Sequence, residues 1–134
     1  MTDPLTPVIV GVGQLNRRPT EAELADASEP VAMMAEVVRR ACADSGAGDR
    51  LLGLVTGLWV MRVTEWHYED AAGALATTLG IAPADRRVSG LGGNSVQRLC
   101  NEAADAIQRG EHDAVILCGA EAAHTISLAR KVGY

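Results

Sequence analysis

Phenylalanine is missing from the 134 residues, and aromatic side chains together make up only 3%. A core of stacked rings is thereby excluded. With 48% of residues hydrophobic, the core has to be packed from Ala, Val, Leu, Ile and Met, side chains that suit helices lying close on a sheet. Cysteine is scarce as well. Cys42, Cys100 and Cys118 stand at wide, uneven spacing, which offers neither a metal-ligand nor a redox pattern. They read as small buried hydrophobes in a reduced, cytoplasmic protein. No apolar run approaches the roughly 20 residues needed to span a bilayer. Met1 to Thr6 lacks the basic start and apolar stretch of a signal peptide. Basic charge is in deficit too, 12 Lys and Arg against 17 Asp and Glu, for a net charge of −5. Such a surface repels phosphate backbones, and the pairs Arg17–Arg18 and Arg39–Arg40 are too short to reverse that, so nucleic acid is excluded as a partner.

What is present alternates between strand and helix patterns within a length that suits one domain at most. Pro7 to Gly13 is a β-branched run ended by glycine and reads as a buried strand. Gln14 to Ala27 reads as a loop. A helix is predicted to start near Ser28, with Pro30 in its first turn and Val31, Met34, Val38 and Ala41 on one face, and to stop at Gly46 and Gly48. Leu54 to Met61 is a second strand whose near-continuous apolarity suits a parallel sheet covered on both sides. A loop holding Trp66 and His67 follows, then a helix over Asp70 to Leu79 and a short strand at Arg87 to Ser89. Asn94, with Gln97 after it, predicts a capping box at the start of the next helix. Val96, Leu99, Cys100, Ala103 and Ile107 would form its apolar face. Ala114 to Gly119 reads as a buried strand, and Ala122 to Val132 begins another helix. Strands alternating with helices mean α/β.

The segments Gly93-Asn94-Ser95, Ile107-Gln108-Arg109-Gly110-Glu111 and Asp113 through Ala122, together with the opening strand pattern, resemble the thiolase superfamily. The ending Ala122-Ala123-His124-Thr125 is closest to its thiolase-like, lipid-transfer-associated members. The resemblance implies an α/β fold, the N-terminal half of a thiolase fold, with a mixed sheet covered by helices. Residues 1–134 would be one thiolase-like N-terminal domain, incomplete, covering roughly the first third of a family member. The family's histidine motif and second cysteine lie beyond that part.

Aligning on Ile107 and Gly110 puts Gly93 where the family carries its nucleophilic cysteine. A thiolate at a helix N-terminus is favoured by the partial positive charge there, and glycine cannot supply one. No residue is therefore assigned a catalytic role, and this chain alone is expected to be inactive. Gly92, Gly93, Asn94 and Ser95 remain a candidate substrate-binding set, because free N–H groups can hold an anion or polarise a thioester carbonyl; the plainer alternative is that the glycines only make room for a turn. Cys100 sits inside the helix and Ser95 has no histidine to activate it, so neither is taken as a nucleophile. The resemblance makes Glu121 an organising hydrogen-bond acceptor. Trp66 could line an acyl or partner surface or simply pack. His67, His112 and His124 lie too far apart for a ligand set, and Gly11-Val12-Gly13 lacks the third glycine of a dinucleotide loop. No metal and no cofactor are expected.

By resemblance the protein is acyltransferase-related and belongs to acyl-CoA (fatty acid or sterol) metabolism, with a CoA thioester as candidate substrate. The alternatives are a non-catalytic subunit that binds acyl-CoA or a partner protein, and part of a thiolase-like retro-aldolase. The resemblance also implies pairing through Arg87 to Ser89, as a homodimer or with a thiolase-like or accessory subunit, and no membrane span.

Overall fold

The computed structural model describes residues 3–134; Met1 and Thr2, the start of the segment expected not to form a signal peptide, lie outside the described residues. Three strands form the sheet: β1 (Val55–Val60), β2 (Asp85–Val88) and β3 (Ala114–Cys118). Their order is β2-β1-β3 and both pairings are parallel. The helices are α1 (Pro30–Asp44), α2 (Ala71–Leu79), α3 (Ser95–Gln108) and α4 (Ala123–Val132), with 3-10 turns at Glu21–Asp26 and Gly48–Leu54. Among the described residues, no helix is long and apolar enough to cross a membrane.

The centre of the core is β1, whose Leu58, Trp59 and Val60 are all 0% exposed. Alternation along the strand splits the core in two. Leu58 and Val60 join Met34 and Val38 of α1 and Ala72 and Leu75 of α2 on one face. On the other face Trp59 packs against Leu99, Ala103 and Ala106 of α3. A single tryptophan in the middle strand supplies most of the bulk that the missing phenylalanines would otherwise provide.

The boundaries have local causes. Pro30 opens α1, where its missing N–H costs nothing, although the cap is Glu29 rather than Ser28. Asp70 caps α2 by accepting a hydrogen bond from the Gly73 N–H (2.9 Å), and Gly80 closes the helix in the left-handed region. The stretch from Gln14 to Ala27, expected as plain loop, holds the Glu21–Asp26 turn, started by a capping box between Thr20 and Glu23.

Two expectations about strands fail. Pro7 to Gly13 is not a strand, and Val8, Ile9, Val10 and Val12 are 70%, 87%, 56% and 66% exposed. The segment lies along α1 instead. A Cβ on Gly11 or Gly13 would run into the backbone carbonyls of Ala41 and Val37, while the Val12 N–H donates to Asp44 and Arg40 donates to the Gln14 carbonyl. The β-branched run is real, but no strand among the described residues pairs with it. The second failure is β3, expected to be buried: only Cys118 is, and Ala114 to Leu117 are half-buried. The strand stands at the edge of the sheet, so one side has no neighbour to cover it.

Candidate functional site

The carboxyl ends of β1, β2 and β3 open onto one surface. Beyond β2 the buried Ser89 donates its N–H to the Val60 carbonyl (2.8 Å), and its hydroxyl accepts from the Arg62 N–H (3.0 Å). Its hydroxyl also donates to the Gly90 carbonyl (3.0 Å), which accepts the Ser95 hydroxyl as well (3.1 Å). Two serine side chains thus pin the turn that delivers the chain into α3.

The two glycines of that turn are not equivalent. Gly92 has φ +152°, and a Cβ there would sit 3.0 Å from the Asn94 side-chain oxygen. Glycine is required. Gly93 has no positive φ, and nothing lies within 4 Å of where its Cβ would be. The position that the resemblance aligns with the family's cysteine is therefore open, with an ordinary backbone.

The predicted capping box at α3 does not form. Asn94 has φ −90° and ψ −2°, a helical geometry that turns its side chain away from the first N–H groups, and Gln97 donates to Asn101 instead (2.9 Å). An N-cap needs an extended backbone to reach back. Among the described residues the N–H groups of Gly93, Asn94, Val96 and Gln97 find no acceptor. They leave the positive end of the helix dipole exposed.

Beside this helix start runs a groove of about 440 Å³, lined by Met61, Arg62, Val96, Leu117 and the Cys118–Glu121 turn. Its walls are mostly apolar, with the Arg62 guanidinium and the Glu121 carboxylate as its charged groups. Glu121 has the organising role expected of it: its carboxylate accepts the Thr64 N–H (2.6 Å) and hydroxyl (2.7 Å) and the Glu65 N–H (3.4 Å), tying the loop after β1 to the turn after β3. A second cleft of about 370 Å³ on the other side of Glu121 is lined by Arg17, Arg18, Asp26 and His124 among others.

The remaining candidates fall into place. Ser95 is buried, with its hydroxyl spent on the Gly90 carbonyl. Cys118 is buried, and burial pushes its thiol up to about 12; burial also raises Cys42, helped by Asp49. Cys100 is half-exposed, against expectation. The buried face of α3 is Ser95, Leu99, Ala103 and Ala106, while Val96 is 56% exposed and Ile107 is left at the margin. Against the bulk of Trp59 beneath the helix stand the small Ala103 and Ala106, and Ile107, one position after Ala106, is turned aside.

Trp66 is 37% exposed and belongs to neither core cluster. His124 meets the Pro19 carbonyl at 3.2 Å. His112 is the one histidine whose setting the spacing does not reveal: it lies at the opposite end of the sheet, between Thr56 and Asp85. Among the described residues no group of three or more His, Cys, Asp or Glu could hold a metal ion.

No protein-family model and no curated protein matches the sequence. Solved structures do. A monomeric SCP2-thiolase-like protein type 1 from Mycobacterium smegmatis is 31% identical with a TM-score of 0.77, over 91% of this chain and 25% of that one. A variant of OleA from Xanthomonas campestris is 17% identical with a TM-score of 0.59, over 77% of this chain and 31% of that one, a likeness of fold alone. The chain spans about a quarter of the length of the first.

Proposed function

We propose, for a chain that belongs to the thiolase superfamily, a role in acyl-CoA metabolism that uses no cysteine nucleophile from this domain. The observation that carries the proposal is the start of α3. Gly93 offers space but no thiol, while the unpaired N–H groups around it and the groove of about 440 Å³ remain. Those N–H groups are suited to a thioester carbonyl, and the walls formed by Met61, Val96 and Leu117 suit an acyl chain. Arg62 supplies a positive charge for an anionic headgroup.

The test has two arms. Mixed with acetoacetyl-CoA and CoA, the chain is expected to give no acetyl-CoA above background, with or without Cys100→Ser. Titrated with a non-hydrolysable acyl-CoA thioether, it is expected to bind saturably, and Arg62→Ala to weaken that binding. Turnover abolished by Cys100→Ser would place the nucleophile elsewhere, and no saturable binding would remove the acyl-CoA role.

A second reading, a binding or assembly subunit, has its own support in the uncovered apolar residues Val8 to Val12 and the open edge of β3. Association through the outer edge of β2 belongs to the same proposal, as does a cytoplasmic location. The solved relative from Mycobacterium smegmatis is described as monomeric, so association has to be measured on this chain.

A further inference from the structure

The amino ends of the strands, opposite the groove, hold a second arrangement of polar side chains. The Thr56 hydroxyl lies 2.7 Å from His112 Nδ1, and His112 Nε2 lies 2.9 Å from Asp85 Oδ2. Asp85 is also gripped by Arg87, whose Nε and Nη2 each donate to it at 2.9 Å. The paired guanidinium keeps Asp85 a carboxylate by holding its pKa below the ordinary value for its side chain. A carboxylate can only accept, so Nε2 carries a proton, and in the neutral ring Nδ1 presents its lone pair. The Thr56 hydroxyl must then donate to His112.

Three further features hold this chain of contacts in place. Thr56 is skipped in the pairing with β3, where the register shifts between Val55 and Gly57, and it precedes the pairing with β2, which begins at Gly57; irregularities of this kind re-aim a side chain. His112 is only 9% exposed at its side chain and stands edge-on to Trp59, with ring centroids 6.0 Å apart. Gly57 leaves room for the imidazole, since a Cβ there would lie 3.4 Å from His112 Cε1 and 3.2 Å from Trp59 Nε1. Thr56 itself is exposed. An exposed hydroxyl, a base within hydrogen-bond reach and a third group orienting the base are the ingredients of an activated nucleophile.

We propose that Thr56 is an acyl-acceptor site, with His112 as its base, for small activated esters and thioesters. In the step, Thr56 Oγ1 forms a bond to the acyl carbon as its proton passes to His112 Nδ1. The bond to the leaving thiolate or phenolate breaks, and that group recovers the proton. The products are an O-acyl threonine and a free thiol or phenol. Asp85 stabilises the imidazolium that forms in between. The site stands apart from the groove at the other end of the sheet and does not depend on it.

The probe is p-nitrophenyl acetate, with the acetylated residue located by peptide mass mapping. The folded chain is expected to acetylate at Thr56 about a hundredfold or more faster than the same chain unfolded in urea, the range for a positioned general base. Thr56→Ser should keep the label at the same position and Thr56→Val should lose it. His112→Gln, shown to be folded by its melting curve, should slow labelling by a similar factor. Equal rates in the folded and unfolded chains would overturn the proposal, a comparison that needs no variant. Label found only on amino groups would overturn it too, as would a folded His112→Gln chain that labels Thr56 at the parent rate.

Discussion

At the scale of single residues, neighbours of identical type do different things. Gly92 is held at φ +152° with Asn94 close by, whereas Gly93 has neither constraint. Gly92→Ala is therefore expected to cost more than the roughly 1 kcal/mol of a compatible glycine replacement, read as a fall in melting temperature, and a melting temperature equal to the parent's would contradict this backbone description. No sequence pattern separates the two glycines, because the difference lies in backbone angles set by Ser89 and Ser95 clamping Gly90. Asp85 gives a prediction in pH. Its folded carboxyl binds a proton less readily than the unfolded one, owing first to Arg87 and then to the hydrogen bond from His112. Its contribution to stability is complete above the unfolded value of about 3.9 and is lost as pH falls through the lower folded value. Acid titrations of the parent and Asp85→Asn, followed by circular dichroism, should therefore converge at low pH. Curves that stay a constant distance apart across the acid range would show that Asp85 contributes nothing through ionisation.

At the scale of elements, helices are more legible than their caps, and buried strands more legible than edges. The periodicity of Val31, Met34 and Val38 locates α1, and Asp70 and Gly80 bracket α2 at both ends. Replacing Asp70 by Ala should cost about 1 kcal/mol by removing the bond to the Gly73 N–H, and a chemical denaturation midpoint unchanged from the parent would argue that this cap is idle. The Asn94–Gln97 pair misleads because a capping box needs a backbone conformation as well as two residue types. The face of α3 is displaced from its expected position because spacing cannot show that Trp59 will lie underneath. Pro7 to Gly13 misleads for a simpler reason: β-branched alternation signals a tendency to pair, and pairing needs a partner strand that the described residues lack. The Thr56–His112–Asp85 contacts are invisible in the sequence because the starts of β1 and β2 and the turn before β3, far apart in the chain, bring them together at one end of the sheet.

At the scale of the whole molecule, the described residues form a three-stranded parallel sheet with helices on both faces and no strand beyond β2 or β3. The β2 edge, where association is proposed, carries exposed Arg86 and Arg87, charge that opposes pairing unless acidic groups of the partner meet it. The β3 side is apolar, and Val8 to Val12 add more uncovered apolar surface. Self-association follows from the proposed assembly role, so sedimentation at tens of micromolar (roughly where weak interfaces fill) should show species heavier than 14.0 kDa. A clean monomer would remove that role and leave the acyl-CoA proposal standing. The central claim is that α3 keeps the family's geometry at a position that has lost its thiol, and alkylation of Gly93→Cys tests it most directly. The variant should melt close to the parent, since nothing lies within 4 Å of the added Cβ. Its new thiol should sit at the positive end of α3 with a pKa below the free value of about 8.5. Iodoacetamide at neutral pH should then modify it faster than Cys100, the one native cysteine that is not buried, while a folded variant whose new thiol reacts no faster than a cysteine in an unstructured peptide would contradict the placement of Gly93 at the nucleophile position.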